Sequence, residues 1–332
     1  QLVAVALPLL ISVANAVSRP ADWQLAMCDV GQGDALLLRS GGHVAVVDTG
    51  PEPEPLAACL SGLGVDRIQL LVLTHYDRDH VGGVDAVIGR VERVLVGPPG
   101  GQADLEVVAA LRGAGARVDA AERGSHGVLG GWAWEVLWPP GTGVQPGNGA
   151  SIAMRWDPAG CVCLSALLLG DLGEESQLRM LGALPAMRPI DVVKVAHHGS
   201  RDQSPELYAR MAAAVGLIGV GADNDYGHPT DELLAMLDGN GTVVARTDHD
   251  GLILLAPGDG RSVRIWRERG SAGEAAHAVE LPLAERSALR RRMRERPARH
   301  REDGARERRI RSGAPRAVVR EHLHQRGHLV LR

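Results

Sequence analysis

The run Thr74-His75-Tyr76-Asp77-Arg78-Asp79-His80, closed by Gly82 and Gly83, places two imidazoles and two carboxylates within six residues. Imidazole and carboxylate at that spacing suit borderline or hard divalent cations, and with no thiolate beside them a closed structural zinc site is not indicated. The spacing points to an open, catalytic metal centre. Five further segments carry groups that such a centre can use: Asp29 to Asp34 (DVGQGD), Asp48-Thr49-Gly50, Gly170-Asp171, His197-His198-Gly199-Ser200 and Gly227-His228-Pro229. Each is weak alone, since a G-D pair is usually a turn and a lone histidine usually a satisfied core or surface residue. Their joint order carries the signal.

These segments need strands to hold them. Ile68 to Leu73 is a short apolar run that ends where the ligands begin, which predicts a buried strand delivering them from its end. Gln24–Asp29, Ala35–Arg39 and His43–Asp48 read as three more strands, with a helix over Leu56–Leu63, another over Val84–Gly89, a strand over Val91–Val96 and a helix over Leu105–Ala114. Gly124 to Gly149, with Trp132, Trp134 and Trp138, reads as rich in loops. The second half repeats this alternation, with a hairpin over Ser151–Trp156 and Cys161–Leu169, a helix over Glu174–Leu184, a strand over Asp191–Ala196 running into His197, then alternating helices and strands to Trp266. Two sets of strands followed by helices predict an α/β fold in one domain, two packed sheets with helices outside.

The pieces DVGQGD, VVDTGP (Val46 to Pro51), LTHYDRDHVGG (Leu73 to Gly83), LLLGD (Leu167 to Asp171), KVAHHGS (Lys194 to Ser200) and YGHP (Tyr226 to Pro229) together resemble the metallo-β-lactamase superfamily. Within it they are similar to the C-terminal domain of the ComEC family of bacterial competence proteins. The resemblance covers residues 20–268 and implies an αββα sandwich of two packed mixed sheets with outer helices, holding two divalent metal ions. Carried over residue by residue, it implies His75 and Asp77 on one ion, Asp79 and His80 on the other, Asp171 bridging both, and His228 as a last ligand. His197 or His198 becomes a ligand or a general acid for the leaving oxygen, and strand alternation would put the two on opposite faces so that only one serves. Asp48 orients ligands, and Asp29, Gln32, Asp34, Asn148 and Ser200 support the ligands or the substrate.

Where most of the superfamily has a second histidine in H-x-H-x-D-H, this chain has Asp77, and Asn148 and Ser151 occupy the region where a third would precede Asp171. Oxygen ligands harden the first site, so the expectation is Mn²⁺, with Zn²⁺ the alternative. This speaks against β-lactam hydrolysis by a histidine-rich zinc arrangement. The resemblance implies a metal-dependent phosphodiesterase or DNase that degrades the non-transported strand during DNA uptake, on the extracytoplasmic side of the cell membrane, with single-stranded DNA and the competence machinery as partners. The alternatives are another hydrolase on the same scaffold, such as a phosphorylcholine esterase or lactonase, and a noncatalytic module gating a channel.

Composition bounds these readings. The chain has 332 residues, no phenylalanine and 36 basic residues of which Lys194 is the only lysine. That lysine reads equally as a phosphate-facing catalytic group or as a buried stem with its ammonium in water. The four cysteines show no C-x-x-C spacing and leave the redox compartment open. Residues 1–19 are largely apolar and read as the end of a transmembrane helix through which a channel region would be attached. Residues 269–332 are arginine-rich and read as a disordered tail or a frame artefact. With the basic residues gathered there, the formal net charge of −4 conceals a more acidic body. Such a body does not hold DNA nonspecifically unless a metal or a local basic strip compensates.

Overall fold

The strands of this chain are short apolar runs rather than alternating ones because nearly all of them are covered on both faces. The structure, a computed structural model, describes residues 19–141, 143–259, 262–269 and 277–280. The first strands are β1 (Leu25–Met27), β2 (Leu36–Ser40), β3 (His43–Val47), β4 (Ile68–Leu73), β5 (Val91–Val96) and β6 (Arg117–Ala120). The chain then crosses to a second sheet for β7 (His126–Leu129), β8 (Trp132–Trp138), β9 (Ala153–Pro158), β10 (Ala166–Leu168), β11 (Val192–Lys194), β12 (Val215–Ile218) and β13 (Val243–Arg246). It returns to the first sheet as β14 (Ile253–Pro257), β15 (Ser262–Arg267) and β16 (His277–Glu280). The sheet orders are β16-β15-β14-β1-β2-β3-β4-β5-β6 and β13-β12-β11-β10-β9-β8-β7.

Alternation along each strand sorts its side chains between two cores. In β2, Leu36 and Leu38 point between the sheets, where Met27, Val72, Trp132, Trp156 and Leu217 meet them, while Leu37 points outward. On the outer face of the first sheet, α1 (Pro53–Gly62) contributes Leu56 and Leu60, and α3 (Gln102–Gly113) contributes Val108 and Leu111; the one-turn α2 (Arg78–Val81) lies between them in sequence. On the outer face of the second sheet, α4 (Glu174–Gly182), α5 (Pro205–Met211) and α6 (Asp231–Gly239) bury Met180, Leu207 and Leu233. A further one-turn helix, α7 (Thr247–Asp250), precedes β14. The layers are therefore helices, sheet, sheet, helices, as the sequence predicts.

Several local expectations change. The stretch from Gly124 to Gly149 holds β7 and β8, not mainly loop, and β8 carries all three tryptophans of the region at 0–3 % exposure. Indole rings recurring at even spacings are a strand signal that the surrounding glycines and prolines obscure. Val84–Ala86 is a single 3₁₀ turn capped at Val87 rather than a helix to Gly89, which adopts a positive φ. The first sheet continues past residue 268 with β16, paired to β15. The apolar start and most of the arginine-rich end lie outside the described residues. Among the described residues no helix is long and apolar enough to cross a membrane. The cysteines pair as Cys28–Cys59 and Cys161–Cys163.

What matters for chemistry is direction. β3, β4 and β5 run parallel, and so do β10, β11, β12 and β13. The C-terminal ends of β3, β4, β10, β11 and β12 therefore release Asp48, Thr74-His75, Asp171, His197-His198 and Gly219 towards one edge of the sandwich, where a crevice outside carboxyl strand ends is the usual place for a ligand. Trp156 is fully buried between the sheets, edge-on to Trp132 with ring centroids 5.9 Å apart. Trp156→Ala is expected to lower unfolding free energy by about 3–5 kcal/mol, measured by chemical denaturation of the full chain.

Candidate metal centre

The centre is built around one carboxylate oxygen, Asp171 Oδ2. The Nε2 atoms of His80, His198, His197 and His75 stand 3.3, 3.5, 3.8 and 4.0 Å from it. Asp79 Oδ2 lies 3.0 Å from His198 Nε2 and 3.8 Å from His80 Nε2, and Asp77 Oδ2 lies 3.5 Å from His75 Nε2. The ligand atoms of Asp34, His80, Asp171 and His198 all fall within 4.8 Å of one another, and all four residues are buried.

Each imidazole is aimed by a partner on its other nitrogen. His80 Nδ1 donates to Asp48 Oδ2 at 2.8 Å, and Asp48 is itself fixed by the Thr74 amide at 2.8 Å and the Thr74 hydroxyl at 2.7 Å. His198 Nδ1 donates to the Gly219 carbonyl at 2.8 Å. His75 Nδ1 lies between the Thr74 and Ser151 hydroxyls at 3.1 and 3.2 Å, and the same Ser151 Oγ accepts the Asp171 amide at 3.1 Å. These bonds leave the Nε2 lone pairs directed at Asp171. The Nε2 atoms of His75 and His80 are buried and have no hydrogen-bond partner among the described residues. Orphaned acceptors converging on a carboxylate are what a divalent cation satisfies, so the residues fit a divalent metal ion.

The electrostatics of these groups agree. Burial opposes ionisation of Asp171, but His80, His198 and Lys194 outweigh it and hold its carboxyl well below the usual range. Burial pulls the His198 imidazolium down, yet Asp171 and Asp34 overcome this and hold its pKa at about 9. His80 is likewise raised, burial being outweighed by Asp171 and Asp48. His197 differs: burial lowers its pKa, so it is neutral at neutral pH.

Of the residues singled out from sequence, the structure gathers His75, Asp77, Asp79, His80, Asp171, His197 and His198 here. The adjacent His197 and His198 both reach the centre because each adopts a positive φ, 47° and 50°, on a 3₁₀ turn; strand alternation would have allowed only one. Their exposures still separate them, His198 being buried and His197 half-buried. His228 stands one ring further out, edge-on to His197 at 5.5 Å between centroids, and burial lowers its pKa. Asn148 Nδ2 reaches His197 Nε2 at 3.4 Å. Ser200 Oγ is buried without a hydrogen-bond partner among the described residues, and Gln32 Oε1 accepts the Gly221 amide at 3.2 Å. Asp29 turns away and pairs with Arg269 at 2.6 Å.

Lys194 requires a correction. Its ammonium does not reach solvent; the side chain is 4 % exposed, ion-paired to Asp34 and placed 3.7 Å from Asp171 Oδ1 and 3.1 Å from the Gly170 carbonyl. Burial would lower its pKa, but Asp34 and Asp171 raise it. A forked guanidinium has a different shape and hydrogen-bond pattern from this point charge, so arginine would not fill this position unchanged. Thr74, Ser151 and the Gly219 carbonyl have no role assigned from sequence. For Ser151 the only signal is its place in the region that lacks a third histidine.

Residues 28–149 match the model of the metallo-beta-lactamase superfamily. The chain is similar to ComE operon protein 3 of Bacillus subtilis (strain 168), 27 % identical over 260 residues that make up 70 % of this chain and 33 % of that protein. It is also similar to competence protein ComA of Neisseria gonorrhoeae, 28 % identical over 241 residues, 70 % of this chain and 32 % of that one. The chain thus spans about a third of the length of these relatives. Among solved structures, the metallo-beta-lactamase fold protein YhfI from Bacillus subtilis superposes with a TM-score of 0.46 at 13 % identity, over 67 % of this chain and 96 % of that one.

Two outcomes are expected of the site. In metal-stripped protein, the stabilisation from charged His198 is complete below the ordinary histidine pKa of 6.5 and is lost as pH rises through about 9. The melting temperature should therefore fall across that window, and metal binding at neutral pH should release protons, read by calorimetry in buffers of different ionisation enthalpy. Lys194→Met alone strands a buried Asp34 charge and is expected to cost about 3–5 kcal/mol, whereas Lys194→Met with Asp34→Asn should recover most of that loss in denaturation experiments.

Proposed function

We propose that this chain, which is similar over 70 % of its length to bacterial competence proteins, is a metal-dependent phosphodiesterase that cleaves single-stranded DNA during competence DNA uptake. The convergence of four imidazole nitrogens on Asp171 Oδ2 carries the reading. His75 and Asp77 would hold one ion, Asp79, His80 and His198 a second, with Asp171 shared between them. Bound there, two divalent ions neutralise the charge of a phosphodiester and make water a stronger nucleophile. The oxygen-rich first site favours Mn²⁺, with Zn²⁺ the alternative.

The chain's own groups supply the rest. His197 is half-buried and kept neutral by burial, and its Nε2 faces Asn148 Nδ2, so that nitrogen carries the lone pair. It is placed to take a proton from solvent at Nε2 and deliver it to the leaving oxygen. Asp48 and Ser151 hold the ligands in their tautomers. Lys194 neutralises Asp34 and steadies the Oδ1 side of Asp171, leaving Oδ2 to face the imidazoles. In the cell we place the domain on the extracytoplasmic face of the membrane, joined to a channel region and the competence machinery, acting on the strand that is not transported.

Purified full chain loaded with Mn²⁺ should cleave a single-stranded oligonucleotide, and Asp171→Asn and His80→Ala should each lose roughly 10²-fold or more of that activity. Folded, metal-loaded protein that cleaves no phosphodiester would leave a metal-binding module without this activity. Activity confined to a lactone or a phosphorylcholine ester would reassign the substrate.

A further inference from the structure

The protein has six tryptophans, three tyrosines and no phenylalanine. Every tryptophan is buried, Tyr208 is buried, and Tyr76 is half-buried with its hydroxyl donating to the Gly97 carbonyl at 3.3 Å. Tyr226 alone among the aromatic residues is open to solvent, at 72 % exposure. Its position is not arbitrary. The ring stacks on His228 at 28° between planes and 6.1 Å between centroids, His228 meets the edge of His197, and His197 Nε2 lies 3.8 Å from Asp171 Oδ2. A continuous row of rings leads from the metal centre to one free aromatic face.

The loop that presents this face is braced. Asn224 Nδ2 donates to the Gly221 and His228 carbonyls at 3.0 and 3.1 Å, Asn224 Oδ1 accepts the His228 amide at 3.3 Å, and Gln32 ties Gly221 to the first half of the fold. Gly227 takes a φ of +69°, which turns the chain between Tyr226 and His228. A braced loop presenting an exposed ring loses little entropy when a flat group stacks on it. Its charge selects what that group is. Asp223 and Asp225 are exposed on the same loop, and residues 221–227 include no lysine or arginine. A phosphate is repelled there, whereas a neutral planar ring is not.

Resting on the phosphodiesterase reading, we propose that Tyr226 is a stacking platform for a nucleobase next to the scissile phosphate. The phosphodiester lies over the centre and the base turns outward along the His197–His228–Tyr226 row. Bases in a duplex are paired and stacked on each other, so the platform is available only to an unpaired strand, and it selects single-stranded over duplex DNA without reading sequence. His228 on this account is a support for the ring rather than a ligand.

The test uses the full 332-residue chain with Mn²⁺, comparing wild type, Tyr226→Ala and Tyr226→Phe. Cleavage kinetics are measured on a single-stranded oligonucleotide and on one with abasic residues around the cut. Anisotropy with a phosphorothioate strand reads binding independently of cleavage. Tyr226→Ala should raise KM and Kd for the base-containing strand roughly 5- to 150-fold, the range that stacking of one base supplies. kcat should change little, Tyr226→Phe should behave as wild type, and the abasic strand should not distinguish the three. Unchanged KM and Kd in Tyr226→Ala, or an equal loss on the abasic strand, overturns the platform while leaving the phosphodiesterase reading intact. A wild-type protein that binds the strand with this base dependence but does not cleave it overturns the activity and retains the platform. One that binds no strand overturns both.

Discussion

The site rests on the problem of keeping one carboxylate oxygen surrounded by imidazoles in a buried place. Asp171 is 2 % exposed, and three of the four histidines whose Nε2 atoms face its Oδ2 are 2 % exposed or less. Burying charge is expensive unless it is paired and hydrogen-bonded. Here the compensation is mutual. Carboxylates raise the pKa of His80 and His198, those imidazoles lower that of Asp171, and Lys194 supplies a permanent cation on the other side of the same carboxylate. A divalent cation held by the same atoms would replace the imidazolium protons as the source of positive charge.

That arrangement imposes conditions on the backbone. Asp48, His197 and His198 all have positive φ, a conformation that costs L-residues energy and persists only where the surroundings dictate it. Close approach imposes the rest. A Cβ on Gly83 would press into the Thr49 carbonyl, and one on Gly170, whose φ is +52°, would press into Ser151, the hydroxyl that connects Asp171 to His75. The glycines following the ligand run are thus part of the site, since they let the loop after α2 lie against the end of β3. Two sheets with parallel segments ending at a common edge then bring side chains more than a hundred residues apart into contact, as with Asp79 and His198.

Much of this is legible in the residues themselves. The ligand run and the apolar strand before it predict a metal site at a strand end of a layered fold, because strand ends and metal ligands are local patterns. Asp171 joins His75, Asp77, Asp79 and His80 through the family resemblance that the order of the outlying motifs carries. Trp132, Trp134 and Trp138 read as loop because the glycines and prolines around them outweigh a period of two. Asp29 reads as part of its motif, yet a motif fixes only proximity in the chain, and the Asp29 carboxylate turns to Arg269.

By itself the sequence determined which chemistry was available: the imidazole and carboxylate ligands, the single lysine and the layered frame, all set by residue type and spacing. Tertiary structure alone decided how each group is used. Whether His198 or His228 faces Asp79, and whether the Lys194 ammonium meets solvent or Asp34, depends on backbone turns and contacts between the two sheets. Those angles and distances arise only when segments far apart in the chain exclude water together.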